Sequence, residues 1–114
     1  MDDLVQRILW LAIEDYAGLW EVVWELNTAR PPRPGDSNEA LAGKIVAQLL
    51  RSGLVTLYRE AVPGGTMEPI GLDEAPALIE GSSAWQPPSW GASALRLSAT
   101  EAGEQAYSHL FDRR

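Results

Sequence analysis

The chain has 114 residues, 46% of them hydrophobic, no cysteine, and a formal net charge of −7. That is the length of one domain, commonly ~100–150 residues, and the missing cysteines exclude disulfides and thiolate metal sites. No apolar run approaches the ~18 residues of a membrane-spanning helix, and acidity opposes unspecific attraction to phosphate. Asp2-Asp3 has the wrong sign for a secretory leader, so a single cytoplasmic domain over 1–114, with no membrane contact, is expected.

Charge is unevenly placed. Residues 1–29 carry net −5 and residues 61–94 carry net −4 with no base at all. Residues 30–60 are the one positive stretch, at net +2, with Arg30, Arg33, Lys44, Arg51 and Arg59. Residues 95–114 balance at zero.

In chain order, residues 3–15 read as a helix. Leu4, Ile8 and Leu11 repeat at i, i+4, i+7 beside Val5, Leu9 and Ala12, and Asp2 or Asp3 caps it. Tyr16-Ala17-Gly18 interrupts. Residues 19–27 resume a helix with Leu19, Val23 and Leu26 on one face and Trp20 and Trp24 beside it. The connector Ala29-Arg-Pro-Pro-Arg-Pro-Gly35 is closed to helix by three prolines. Asp36, with Glu39 three residues on, predicts a capping-box start to a helix over 39–52, whose core face is Leu41, Ile45 and Leu49. Gly53 predicts a left-handed stop, and Leu54 to Glu60 a strand.

Residues 61–94 form a long excursion. Pro63-Gly64-Gly65 signals a turn, and Glu68-Pro-Ile70 a returning strand. Asp73 to Glu80 reads as a short helix capped by Asp73 and stopped by Gly81, with Pro76 in its first turn. Trp85-Gln-Pro-Pro-Ser-Trp90 reads as extended and stiff. Ala94 to Ser98 is a second strand. A last helix over 99–112 carries Ala102, Ala106 and Leu110 on one face, with Gly103, Tyr107 and Phe111 beside it. Ser98 (with Glu101) or Thr100 caps it.

Catalysis has little support. The single histidine, His109, lies near Ser108 and Asp112 within one helix, which does not give a nucleophile–base–acid line. Near a helix C-terminus it suits the dipole as a surface residue. Neither a metal site nor a phosphate-cradling glycine loop is predicted, so no cofactor and no enzyme activity are expected. Trp10, Trp20 and Trp24 sit at helical spacing beside apolar faces and predict core or dimer packing. Trp85 and Trp90 flank Pro87-Pro88. They either anchor the excursion onto the domain or form a partner-docking patch.

The residues from 36 to 60 are the candidate nucleic-acid reader. Ser37, Asn38, Glu39, Lys44, Gln48 and Arg51 are the polar residues offered by the helix and its start. Asn38 and Gln48 suit adenine, and Lys44 suits guanine or phosphate. Arg30, Arg33, Arg59 and Arg96 are candidates for holding phosphates. Ordinary solvated surface accounts for the same residues.

Gly53-Leu54-Val55 followed by a strand, with Leu95-Arg-Leu-Ser-Ala-Thr-Glu-Ala-Gly103 and Tyr107, resembles the second half of winged helix-turn-helix regulators of the MarR and PadR type. Thr100, Glu101 and Gly103 match their final capping pattern. The resemblance covers residues 36–60 and 94–110, and 3–27 in helix order alone. It implies an α+β winged helix-turn-helix: three N-terminal helices, an antiparallel β-wing carrying a long insertion, and a C-terminal helix. It further implies a homodimer formed through residues 3–15 and 100–112 that binds DNA as a transcriptional regulator. Three departures stand out: the long acidic wing insertion, the nearly neutral recognition helix, and the proline-rich connector. They favour an alternative, a non-catalytic protein-interaction module using the acidic wing and Trp85–Trp90.

Overall fold

The computed structural model describes residues 1–110, apart from the side chain of Ser82. Phe111 and Asp112, assigned above to the last helix, lie outside the described residues. The chain forms an α+β fold: α1 (Asp3–Glu14), β1 (Ala17–Gly18), α2 (Leu19–Ala29), α3 (Glu39–Arg51), β2 (Val55–Glu60), β3 (Met67–Ile70), α4 (Ala75–Glu80), β4 (Ala94–Ala99) and α5 (Glu101–His109). A 3-10 turn occupies Ser82–Trp85. The strands make one antiparallel sheet in the order β1-β4-β2-β3.

The helical periods place the core mainly as expected, except that in α2 Val22 is enclosed while the expected Val23 is half-buried, as are Leu4, Leu11 and Leu41. Ile8 and Leu9 of α1, Leu26 of α2 and Val46 of α3 are fully enclosed against Leu57 of β2 and Leu97 of β4. Leu57 and Leu97 are direct partners in the register, so the sheet presents one apolar rung to all three helices. Asp2 caps α1, its Oδ1 accepting from the Leu4 amide at 2.8 Å.

Tyr16-Ala17-Gly18 is more than an interruption. Ala17 pairs with Leu97 and Gly18 with Arg96, adding β1 to the sheet edge. At Gly18 an added Cβ would overlap the face of the Trp20 ring, which folds down over bare backbone.

The capping box at Asp36 and Glu39 does not form. The Asp36 amide donates to the Arg33 carbonyl at 2.9 Å, in a turn that contains Gly35 at φ +87°. This leaves Asp36 two residues short of the N-cap position, which Asn38 occupies without a side-chain capping bond. The Ser37 Oγ accepts from the Glu39 amide instead, at 3.1 Å. At the other end, Gly53 takes φ +74°, and Leu54 N–H returns to the Leu49 carbonyl at 3.0 Å. This is the left-handed stop expected of that glycine.

The excursion folds back on the domain. Pro63-Gly64 makes the turn, with Gly64 at φ +75° and Gly65 N–H donating to the Val62 carbonyl at 2.9 Å. Met67–Ile70 then pairs with β2 from the outer edge. Helix α4 starts one residue later than read, with Glu74 rather than Asp73 at its N-cap and no side-chain bond there. The Gly71 carbonyl instead accepts the Glu74 and Ala75 amides at 3.1 and 3.0 Å. Gly81 ends α4 in an extended, not left-handed, conformation. Trp85 belongs to the 3-10 turn, so the extended stretch begins only at Gln86.

Thr100, not Ser98, caps α5. Its Oγ1 accepts from Gly103 N–H at 3.1 Å and donates to the Gly53 carbonyl at 2.6 Å. Its amide donates to the Leu54 carbonyl at 3.0 Å. The helix stop at Gly53 and the helix start at Thr100 are therefore one joined structure. On the far side Trp10 stacks on Tyr107 at 5.1 Å and so ties α1 to α5. Trp20 joins the core, whereas Trp10 and Trp24 remain exposed.

Candidate functional site

Helix α3 buries Ala42, Ile45, Val46, Leu49 and Leu50. A 3.6-residue period then leaves one stripe open: Ala40, Lys44, Gln48 and Arg51 are exposed. Among the described residues Lys44 and Arg51 make no ion pair or side-chain hydrogen bond. The stripe therefore offers two free cations and one free amide, and no apolar anchor larger than Ala40.

The connector brings more candidates to the N-terminal end of α3. Arg30, Arg33, Ser37 and Asn38 border a cavity of about 560 Å³, together with Asp36. Asn38 is turned inward here. Its Nδ2 donates to Asn27 Oδ1 at 2.9 Å and to the Arg30 carbonyl at 3.0 Å, and the residue is buried. Asn38 thus fastens the end of α2 to the start of α3, and its amide is not presented to a ligand.

Arg59 and Arg96 lie apart from this surface. Arg96 Nε donates to Glu60 Oε1 at 3.2 Å and Nη1 to the Tyr16 carbonyl at 2.9 Å, while the guanidinium sits 5.1 Å from the Trp20 ring centre. Glu60 is buried and its other oxygen accepts from Gly64 N–H at 3.3 Å. That network closes the base of the excursion. Arg59 borders a different cavity, with Trp20 and Pro87-Pro88.

The side chains that sequence reasoning left out belong to α4. This helix lies along one flank of α3, and the two border an open groove of about 550 Å³ whose walls include Gly43, Ala47, Ile79, Glu80 and Trp85 together with Lys44 and Arg51 of the exposed stripe. Trp85 is only 4% exposed, and its indole N–H donates to the Ile79 carbonyl at 3.0 Å. Gln86 Nε2 donates to Glu39 Oε1 at 2.8 Å, a latch between the excursion and the start of α3. Glu39 and Glu80 thereby sit near the free cations of α3. An amphipathic six-residue helix does not declare which neighbour it packs on, so no local signal could have found this contact. Trp90, by contrast, is 102% exposed on a turn closed by Ala92 N–H to the Ser89 carbonyl at 2.9 Å.

Gly43 tests the closeness of this flank. An added Cβ would meet Trp85 Cζ2 at 3.8 Å, ordinary contact. Gly43→Ala should therefore keep α4 docked and stabilise the domain by roughly 0.5–1 kcal/mol through helix propensity. Urea unfolding would check this, and a loss of stability would mean that Trp85 lies closer than described.

His109 and Ser108 are exposed on α5, and Asp112 lies outside the described residues. No helix among the described residues is long and apolar enough to cross a membrane. Comparison of the chain with protein-family models, with curated proteins and with solved structures gives no match.

Proposed function

We propose that the chain is a winged-helix domain of a DNA-binding regulator, non-catalytic, acting as a homodimer through α1 and α5, with α3 as its reading helix. The topology supports the fold: three helices with a short β1 between the first two, then β2 and β4 as wing strands, then α5. Residues 61–93 are an insertion between the wing strands. The contact of Thr100 and Gly103 with the Gly53–Leu54 stop joins the two stretches that carry the winged-helix resemblance.

The observation that carries the DNA reading is the open stripe of Lys44, Gln48 and Arg51. A helix that docks on protein carries apolar anchors at i, i+3 and i+4, and this stripe has none. Arg30 and Arg33 stand exposed before the same helix, and arginines so exposed support a phosphate-holding role in this reading. The test is a mobility shift with DNA from upstream of the protein's own gene, under scrambled competitor, at ~50 and ~200 mM salt. Lys44→Ala and Arg51→Ala should each weaken the shift and flatten its salt dependence by about one ion, with native circular dichroism. Unchanged affinity in both variants removes α3 from the interface.

A protein partner is the second reading, and α4 is the observation that favours it. Packed helices lie ~8–10 Å apart, so α3 and α4 side by side are wider than the ~12 Å major groove. Helix α3 would enter by its open edge alone. Absence of any shift at ~50 mM salt, where phosphate-led binding is strongest, would favour this reading.

A further inference from the structure

We infer that the cleft between the C-terminal half of α3 and α4 binds a small monoanion with an apolar body, its carboxylate held by Arg51. A cavity of about 420 Å³ opens there, walled by Ala47 and Leu50 of α3, Leu72, and Pro76 and Ile79 of α4. That volume falls within the ~300–1,000 Å³ typical of small-molecule sites. Leu72 is 62% exposed at the rim, apolar surface that a ligand would cover.

Arg51 is the one charged residue among the described residues lining this cleft. Its guanidinium has no ion pair or hydrogen bond among them. An apolar cleft with a single free guanidinium at its edge is complementary to one carboxylate on a hydrocarbon or ring, because the planar fork takes a carboxylate two-pronged. The adjoining cavity favours a single negative charge. It shares Ala47, Arg51, Pro76 and Ile79 with the cleft but adds Glu39 and Glu80 against Lys44 alone, a net negative surrounding that disfavours a second negative group. A nucleotide or inorganic phosphate therefore fits poorly, and the apolar walls give a sugar nothing to bond.

The test uses the whole chain and two probes, anilinonaphthalene sulfonate and N-phenyl-1-naphthylamine, which share their rings and differ by the sulfonate. The native protein should bind the sulfonate saturably at one site, with displacement by decanoate. Arg51→Gln should weaken the sulfonate about tenfold or more and leave the neutral probe unchanged. Ala47→Phe should fill the cleft and abolish both. Near-UV circular dichroism accompanies each variant; should Ala47→Phe lose its native spectrum, Leu72→Asp, at an exposed rim position, replaces it with the same expectation. Sulfonate binding indifferent to Arg51→Gln overturns the site, as does neutral-probe binding that survives a natively folded blocking variant. A failed mobility shift leaves these outcomes untouched, so the ligand site and the DNA reading stand or fall separately.

Discussion

Gly103→Ala is expected to lower the melting temperature by about 10–20 °C, since its added Cβ would meet the tightest backbone contact of any glycine among the described residues. Gly103 is buried against the α3–β2 junction, and an added Cβ would overlap the Leu54 carbonyl oxygen. Neither side can yield easily. The Leu54 carbonyl also accepts the Thr100 amide at 3.0 Å, and the Thr100 hydroxyl accepts from Gly103 N–H at 3.1 Å. Moving α5 outward breaks the cap, worth ~1 kcal/mol; keeping it forces an overlap costing typically ~1–3 kcal/mol or more. Roughly 3 kcal/mol in a chain of this size shifts melting by the stated amount. Gly53→Ala is the internal control. Gly53 has φ +74° but nothing within 4 Å of an added Cβ, so it meets only the left-handed penalty of ~1–2 kcal/mol. Thermal unfolding followed by circular dichroism ranks the two. A Gly53→Ala loss exceeding that of Gly103→Ala would mean that α5 does not pack on the Leu54 turn.

What could be read from the chain divides by range. Gly53 and Thr100 are legible because each acts through local backbone chemistry, a left-handed stop and a hydroxyl cap, whereas Gly103 is legible only as part of the resembling pattern, because its missing Cβ serves the distant Leu54 carbonyl. Lys44, Gln48 and Arg51 share a stripe for the same reason, since their spacing of four and three residues follows the helix period. Asn38 was not legible. Beside a helix start its side chain can cap or can turn inward, and its bonds to Asn27 and Arg30 decide that only once α2 and α3 are placed. Arg96 is similar. It pairs directly with Tyr58 in the register, and its ion pair with Glu60 runs diagonally across two rungs on the same face. That relation needs the strand register, which a 33-residue interruption between β2 and β4 hides. A two-residue strand such as β1 has no period to read. The packing of α4 on α3 is a tertiary fact with no local signature.

The two tryptophans of the excursion should separate cleanly under mutation. Trp85 is 4% exposed and Trp90 is 102% exposed, although five residues and two prolines apart they look alike in sequence. Trp90 is fully exposed among the described residues, so Trp90→Ala should change stability by no more than ~0.5 kcal/mol. Trp85→Ala empties the space between α2, α3 and α4 and frees the Ile79 carbonyl. A buried Trp→Ala change costs ~3–5 kcal/mol where the site cannot relax. Here the excursion can detach as a unit, so part of the cost should appear as local opening. Hydrogen exchange over residues 75–86 should accelerate in Trp85→Ala and stay slow in the core of α3, where Val46 and Leu49 are enclosed. Equal exchange in the two variants would mean that Trp85 does not hold α4 in place. Opening also bears on the two readings of α3. If α4 narrows the approach to DNA, Trp85→Ala should strengthen a mobility shift while the sulfonate probe loses its cleft. If α4 forms part of a protein-docking surface, the same variant should leave DNA unbound and abolish probe binding alone.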